Sequence, residues 1–227
     1  MTAGSVVAVM KLTIRTAIGA AAVAVGITVF APPAQAVPPV SPAAAADGLV
    51  DVRSAVPDAI VDLRYATADN FTKVRLYPAN ARCLVHKSLV PGLTKAAGQL
   101  RGKGLRLVFW DCYRPQAAQV KMWQVVPNPA WVAKPGEKAT SHEAGRSVDV
   151  TLAHRDARRL DMGTGFDDFT PASHANATGI SAVAQQHRAT LRRAMESGGI
   201  SQYEGEWWHY DGPGSGTPRP HLKAPVN

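Results

Sequence analysis

The sequence predicts an α+β domain in which helices pack against a small, mainly antiparallel sheet. One observation favours this class, and two others exclude different kinds of chain. Helix-like and strand-like segments follow one another without the regular alternation that a parallel sheet requires. The 227 residues are 46% hydrophobic and 19% charged, a globular composition that excludes a disordered or fibrous chain. Two cysteines are too few for a disulfide-rich scaffold or a cysteine-rich zinc module.

The start of the chain predicts export. The apolar run 17–30 follows Lys11 and Arg15 and precedes two prolines and the small residues that end at Ala36. This order is typical of a secretory signal peptide, here residues 1–36 with cleavage after Ala36. A membrane anchor is the alternative, but a spanning helix needs about 20 apolar residues. We therefore expect a secreted or cell-envelope protein with no stable membrane insertion after signal cleavage.

The next segment, 37–48, is rich in proline and alanine and predicts a flexible lead-in to a single domain over 49–227. In that domain, leucines and alanines at helical spacing followed by glycines predict a helix over 88–102. The apolar run 105–110 predicts a buried strand. Pro115 then suits the first position of a helix that continues over 116–126.

The second half of the domain predicts two strands and one long helix. Alternating β-branched residues favour a strand over 146–152, and the aromatic run 200–210 favours another. The helix is predicted over 178–197 because Gly198 and Gly199 follow it. Its polar stretch 185–188 predicts a solvated face.

The charge of the chain gives little indication of a binding partner. The formal net charge of +8 comes from basic residues that are scattered along the sequence. No aromatic and basic residues interleave as on a nucleic-acid surface, so we predict no nucleic-acid partner. Attraction to anionic cell-wall polymers stays open beside a simple solvated surface.

Cys83 and Cys112 are expected to form a disulfide. Two cysteines in an exported protein most simply pair, because the compartment is oxidising. Two free buried thiols, or a metal or catalytic role, are the alternatives.

Two short segments carry metal-ligand chemistry. His142 and Asp149 lie seven residues apart across a glycine, and Glu206 and His209 form a Glu-x-x-His unit. A catalytic zinc takes three His or carboxylate ligands, and a further carboxylate can act as a general base. His142, Asp149 and His209 as ligands with Glu206 as base fill these roles. Each segment alone also occurs by chance, so spacing leaves metal binding open.

Arg114 follows the predicted strand 105–110 and precedes the next helix. A guanidinium at a strand edge can bind a carboxylate or a developing oxyanion. A surface arginine that caps the loop is the alternative.

Together these segments resemble the zinc D-alanyl-D-alanine dipeptidases, which include the dipeptidase of vancomycin resistance. The resemblance rests on Asp-x-Tyr-Arg-Pro at 111–115, on His142 with the following Asp149, and on Glu-Trp-Trp-His at 206–209. It continues through 63–72 and 162–167, and so covers about residues 50–212 in order.

The resemblance implies a D,D-peptidase or hedgehog-like zinc fold with one Zn²⁺ per chain. It implies His142, Asp149 and His209 as the zinc ligands, Glu206 as the general base and Arg114 as a group that stabilises the tetrahedral intermediate.

The resemblance also implies substrate contacts. Tyr65 and Asp167 fall where the family holds the free amino terminus of the substrate, and Tyr77, Thr140 and Ser141 fall near other substrate-contacting positions.

The implied reaction is hydrolysis of D-Ala-D-Ala to free D-Ala, with zinc-bound water as nucleophile, in cell-wall peptide turnover. The partner is then a small D,D-dipeptide. A D,D-carboxypeptidase or peptidoglycan endopeptidase of the same fold is one alternative, and a non-catalytic zinc-binding or wall-binding domain is another.

Overall fold

The computed structural model describes residues 36–227 together with residues 1, 2 and 4. The apolar run 17–30, which predicts the signal peptide, lies outside the described residues. Residues 36–227 form one compact unit. Among the helices that the structure describes, none has the length and apolar character needed to cross a membrane.

The unit contains both helices and short strands. Its helices are α1 (Pro42–Ala46), α2 (Val90–Arg101), α3 (Gln116–Val125) and α4 (Ala182–Ser197). Its strands are β1 (Leu49–Asp51), β2 (Ile60–Val61), β3 (Leu84–His86), β4 (Leu105–Asp111), β5 (Ser147–His154), β6 (Ser201–Gln202) and β7 (His209–Asp211).

The strands form two sheets. The larger has the order β2-β4-β5-β7-β6, and the smaller joins β1 to β3. Only β2 and β4 pair in parallel within the described chain, whereas every other pairing is antiparallel. The predicted α+β class with a small, mainly antiparallel sheet is therefore confirmed.

The core lies around the central strands β4 and β5. Almost every residue of both strands is buried, which requires cover on both faces of the sheet because successive side chains point to opposite faces. Side chains of α2 and α4, including Leu93 and Leu191, share one apolar cluster with Leu107 and Val150. The two central strands are therefore packed on both faces, and the functional side chains at their ends extend from this core.

Most of the predicted elements form close to their expected bounds. Helices α2 and α3 and strands β4 and β5 are confirmed within two residues at each end. Helix α4 begins at Ala182 rather than at 178, because the Ser181 hydroxyl caps it by accepting from the Ala184 amide at 3.1 Å. Pro115 precedes α3 instead of being its first residue, with an extended ψ of 144°.

The prediction of one strand over 200–210 was wrong. The chain instead forms a hairpin, β6 and β7, which meet with Gln202 opposite Tyr210. The intervening turn is fixed by distant contacts, such as the bond from the Trp207 amide to the Ser173 carbonyl at 2.9 Å. This turn carries Glu206, and β7 begins at His209.

The segment 37–48 differs from the expected flexible lead-in. It contains α1, where Ala44 is buried and the Ser41 hydroxyl caps the helix. Asp47 accepts hydrogen bonds from the amides of Lys223 and Ala224 at 3.2 Å. These contacts tie the segment to the C-terminal end of the chain.

Candidate active site

Strand pairing brings the two predicted metal-binding segments together. Asp149 lies on β5 directly opposite His209 on β7. His142 lies on a short 3-10 turn, Ser141–Ala144, that leads into β5. Directly opposed residues of antiparallel strands have Cβ atoms about 5 Å apart, so the pairing itself brings the two side chains into contact.

Three donor atoms form a nearly equilateral triangle. His142 Nε2 lies 3.1 Å from His209 Nδ1 and 3.3 Å from Asp149 Oδ1, and His209 Nδ1 lies 3.2 Å from Asp149 Oδ1. A tetrahedral Zn²⁺ with bonds of about 2.0–2.1 Å separates its ligand atoms by about 3.3–3.4 Å. The three side chains therefore fit zinc in both donor type and spacing.

The other nitrogen of each imidazole is held by an acceptor. His142 Nδ1 donates to the Cys112 carbonyl at 2.8 Å, and His209 Nε2 lies 3.2 Å from Asp211 Oδ1. Each ring therefore directs its remaining nitrogen into the triangle. A carbonyl or carboxylate behind a metal-bound histidine orients the ring in this way.

The electrostatics of the triangle favour a cation. Asp149 Oδ1 is buried and accepts no hydrogen bond. Burial would raise the pKa of Asp149, but the imidazoles of His142 and His209 outweigh it and lower that pKa. Burial would likewise lower the pKa of His209, yet the nearby carboxylates of Asp149 and Asp211 raise it to about 10. These carboxylates thus need a positive charge between them, which either an imidazolium or a metal ion supplies.

Glu206 stands beside the triangle without belonging to it. Its Oε2 lies 4.0 Å from His209 Nδ1, and the carboxyl lines the same cavity. Burial, with a further contribution from the charge of Asp149, raises the pKa of Glu206 to about 7. A carboxyl with such a pKa can accept and return a proton near neutral pH.

Arg114 is a buried part of the site. Its Nε donates to Asp111 Oδ2 at 2.8 Å and its Nη1 to Gln119 Oε1 at 2.7 Å, while Nη2 lies 3.6 Å from Asp149 Oδ2. Asp111 is fully buried at the end of β4. The surface capping role is therefore wrong, because the guanidinium faces the cavity.

Tyr65 and Asp167 form another wall of the cavity. The Tyr65 hydroxyl lies 3.0 Å from Asp167 Oδ2 and 3.1 Å from Oδ1. Burial, followed by the charges of Asp149 and Glu206, raises the pKa of Asp167 well above its usual range. A substrate ammonium would relieve this cost by offsetting the negative charges.

The cavity has a volume of about 310 Å³. It is bounded by the ligand triangle, by the groups described above and by apolar side chains from three loops, namely Phe71, Trp131, Val132 and Phe169. Ser141 and Thr140 also line it, and Ser141 Oγ lies 2.9 Å from Ser147 Oγ.

Tyr77 does not line the cavity, in contrast to its predicted role as a substrate contact. Its ring is buried, and its hydroxyl donates to Asp111 Oδ1 at 2.8 Å. The carboxylate of Asp111 thus accepts from both the Tyr77 hydroxyl and the Arg114 guanidinium.

Sequence reasoning missed several groups that support the site. Asp111 holds Arg114 and could have been found, because it belongs to the Asp-x-Tyr-Arg-Pro segment. Gln119 and Asp211 carried no such signal, since each acts through a contact that only the folded chain makes.

The predicted disulfide between Cys83 and Cys112 is present, with the two Cα atoms 5.3 Å apart. Cys112 is also the residue whose carbonyl accepts from His142.

Comparison with known proteins agrees with this geometry. A family model described as D-ala-D-ala dipeptidase, Peptidase_M15, matches residues 45–227. A D-alanyl-D-alanine dipeptidase of Escherichia coli (strain K12) is 39% identical over 165 residues, which are 73% of this chain and 84% of that protein. One of Enterococcus faecalis (strain ATCC 700802 / V583) is 34% identical over 168 residues, covering 63% of this chain and 80% of that protein.

The chain is also similar to a solved structure of the vancomycin resistance D,D-pentapeptidase VanY, a mutant form in complex with Zn(II). It is 16% identical and covers 60% of this chain and 82% of its own, with a TM-score of 0.36. That likeness is too low to transfer any property. The family model covers residues 45–227, and the Escherichia coli relative is 39% identical over 73% of this chain. The chain therefore belongs to the Peptidase_M15 family of D-ala-D-ala dipeptidases and is a zinc metallopeptidase.

Proposed function

We propose that this protein hydrolyses the dipeptide D-Ala-D-Ala to two molecules of D-Ala, with one Zn²⁺ held by His142, Asp149 and His209. One observation carries the proposal. The three donor atoms lie 3.1–3.3 Å apart, as zinc requires, and Glu206 stands next to them inside the cavity. Membership of the dipeptidase family supports the choice of substrate.

Zinc at such a site supplies Lewis-acid chemistry, because it polarises the peptide carbonyl and lowers the pKa of water toward about 7. Glu206 then acts as general base. Its carboxylate takes one proton from the attacking water and returns it to the leaving nitrogen as the peptide C–N bond breaks. The second water proton leaves the new carboxyl group and converts the released amine to an ammonium, so that two zwitterionic molecules of D-Ala form. The raised pKa of about 7 suits a group that must both accept and return a proton.

Arg114 stabilises the negative charge that develops on the carbonyl oxygen. Its guanidinium is already fixed by Asp111 and Gln119, so it does not reorganise during the reaction. A prearranged donor of this kind typically contributes about 3–4 kcal/mol to the transition state.

Tyr65 and Asp167 bind the free ammonium of the substrate in this proposal. The half-buried carboxylate of Asp167 complements a positive charge, and the Tyr65 hydroxyl orients that carboxylate. Such a site favours a dipeptide, whose ammonium lies one residue from the scissile bond. Ser141 and Thr140 would contact the substrate from the wall beside His142.

We also propose that the enzyme acts outside the cytoplasm, in turnover of cell-wall peptides, as a single domain released by cleavage after Ala36. Two features support this location: the signal-like run 17–30 and the disulfide, which persists in oxidising compartments. The N-terminal residue of the protein recovered from culture medium or cell envelope would test it.

The decisive experiment compares two substrates. Release of D-Ala is measured from D-Ala-D-Ala and from a pentapeptide that ends in D-Ala-D-Ala, with the enzyme loaded with zinc and after removal of zinc by a chelator. We expect zinc-dependent cleavage of the dipeptide alone. Cleavage of the pentapeptide would identify a carboxypeptidase or endopeptidase instead, and zinc binding without any cleavage would identify a non-catalytic zinc domain.

A further inference from the structure

The segment from Asp111 to Arg114 leaves the larger sheet next to the metal-binding triangle. Strand β4 pairs regularly with β5 up to Phe109, and its register then shifts before Asp111. Beyond that point the chain turns to the smaller sheet, where the Tyr113 amide donates to the Leu84 carbonyl at 2.8 Å. Irregularities of this type often occur next to active sites, because they redirect the groups that follow.

The redirected segment makes two main-chain contacts with one candidate ligand. The Cys112 carbonyl accepts from His142 Nδ1 at 2.8 Å, and the Arg114 amide donates to the His142 carbonyl at 3.0 Å. The first contact fixes the ring and the second fixes its backbone. His142 therefore depends for its orientation on where Cys112 and its neighbours lie.

The disulfide fixes Cys112 to the smaller sheet. Both cysteines are almost fully buried, and Cys83 immediately precedes β3. The Cys83 carbonyl accepts from the Val52 amide at 2.9 Å, and the next residue, Leu84, pairs with Asp51 in β1. The bond thus connects a well-anchored edge of the smaller sheet to the residue whose carbonyl orients His142.

We infer that the Cys83–Cys112 disulfide is a positioning element of the metal site, which raises the affinity for zinc by holding the Cys112 carbonyl against His142 Nδ1. The inference rests on the metal site proposed above. Partners behind a metal-bound histidine typically change metal affinity by about 10-fold to 100-fold when they are lost. Reduction of the bond would weaken the site by loosening this partner while leaving all three ligands in the chain.

The test measures the zinc dissociation constant by competition with a chromogenic chelator, which is independent of peptide hydrolysis. The variants are C83A/C112A and C83V/C112A, the second of which refills part of the space that the sulfurs occupied. We expect the dissociation constant to rise about 10-fold or more in both.

A matched control separates positioning from general loss of stability. Leu191→Ala removes a fully buried side chain of α4 that does not line the cavity, and it lowers the melting temperature. We expect this variant to bind zinc as the wild type does. Solvent exchange of the His142 Nδ1 proton, followed by NMR in the zinc-loaded proteins, should be faster only in the forms without the disulfide.

Two results would overturn the inference: an unchanged zinc affinity in folded protein without the disulfide, or a loss no greater than that of Leu191→Ala. Failure of the proposed metal site would look different, since the wild type itself would then not bind zinc.

Discussion

Tyr65 donates its hydroxyl to the Asp167 carboxylate, with oxygen–oxygen distances of 3.0 and 3.1 Å, although 102 positions separate the two residues. Both side chains line the cavity that also contains His142, Asp149 and His209. Burial and two nearby carboxylates make an unpaired charge on Asp167 unfavourable. A substrate ammonium would supply the missing positive charge.

Asp167→Asn should therefore weaken substrate binding. We expect kcat/KM for D-Ala-D-Ala to fall by about 10-fold to 100-fold, mainly through KM, because a hydrogen bond to a charged group is worth about 1.5–3 kcal/mol. Steady-state release of D-Ala measures this. Asp168→Asn, the same change at the next residue, lies outside the cavity lining and should leave KM unaltered. An unchanged KM in Asp167→Asn would remove Asp167 from the amine site.

Glu206→Gln should separate metal binding from catalysis. The substitution keeps size and polarity but removes the proton acceptor, and Glu206 lies outside the ligand triangle. We expect one zinc per chain, as in the wild type, and a kcat lower by about 10²–10⁴-fold. Metal analysis and D-Ala release on the same samples test both points. Glu204→Gln, an exposed glutamate two positions away, serves as the control. Full turnover by Glu206→Gln would rule out Glu206 as the base.

Asp111→Asn should impair catalysis by releasing Arg114. Asp111 Oδ2 accepts from the guanidinium at 2.8 Å, and an amide nitrogen at that position would oppose it. We expect kcat to fall by about 10-fold to 100-fold, since a misplaced catalytic group has effects of this size. Tyr77→Phe removes only the hydroxyl bond to Asp111 Oδ1 and should have a much smaller effect. Equal losses in the two variants would argue against a special role for the Asp111–Arg114 pair.

Gly145→Ala should destabilise the fold next to the site. Gly145 has a positive φ of 63°, and a Cβ there would lie 2.6 Å from Leu49 Cδ2. We expect the free energy of unfolding to fall by about 2 kcal/mol or more. Gly98→Ala is the opposite case, because that helical glycine has open space around it. It should gain about 0.5–1 kcal/mol. Urea denaturation of both variants measures whether the free energy of unfolding falls for Gly145→Ala and rises for Gly98→Ala. An unchanged free energy of unfolding in Gly145→Ala would contradict the close contact with Leu49.

Removal of zinc should lower the melting temperature of the wild type. A ligand bound to the folded state at about 1,000 times its dissociation constant adds about 4 kcal/mol of stability. His142→Ala and Asp149→Ala each lose one candidate ligand, so their melting temperatures should not respond to chelator or to added zinc. Differential scanning calorimetry with and without chelator distinguishes the cases. A zinc response that persists in both variants would place the metal elsewhere.

Local elements were predictable to the extent that local forces determine them. Helix α2 and strand β4 follow from side-chain spacing and from the glycines between them, and both form where expected. The prediction for the aromatic run 200–210 was wrong because distant contacts, and not local composition, determine its structure. Its composition favours a strand, but the turn around Glu206 is fixed by contacts such as that of Trp207 with Ser173, which no local pattern contains.

Arg188 on helix α4 is a second residue whose environment could not be predicted from local sequence. The polar stretch 185–188 predicted a solvated face, yet Arg188 is only 4% exposed. Its guanidinium donates to the carbonyls of Met162, Ala172 and His174 at 2.7–3.1 Å, and it stacks on the ring of Trp207. It thereby anchors the loop that carries Asp167. A charged residue can be buried in this way only when distant carbonyls satisfy it, and sequence does not show where those carbonyls lie.

The sequence by itself determined which donors this protein offers. Two imidazoles, an aspartate and a further glutamate are covalent properties of the chain, and their types are those found in catalytic zinc sites, although their spacing left metal binding open. The tertiary structure alone decided how they meet. The register of β5 and β7 sets Asp149 against His209, and the Cys112 carbonyl turns His142 toward them. Distances of about 3 Å between groups tens of residues apart depend on strand pairing and packing, which are decided only when the whole chain folds.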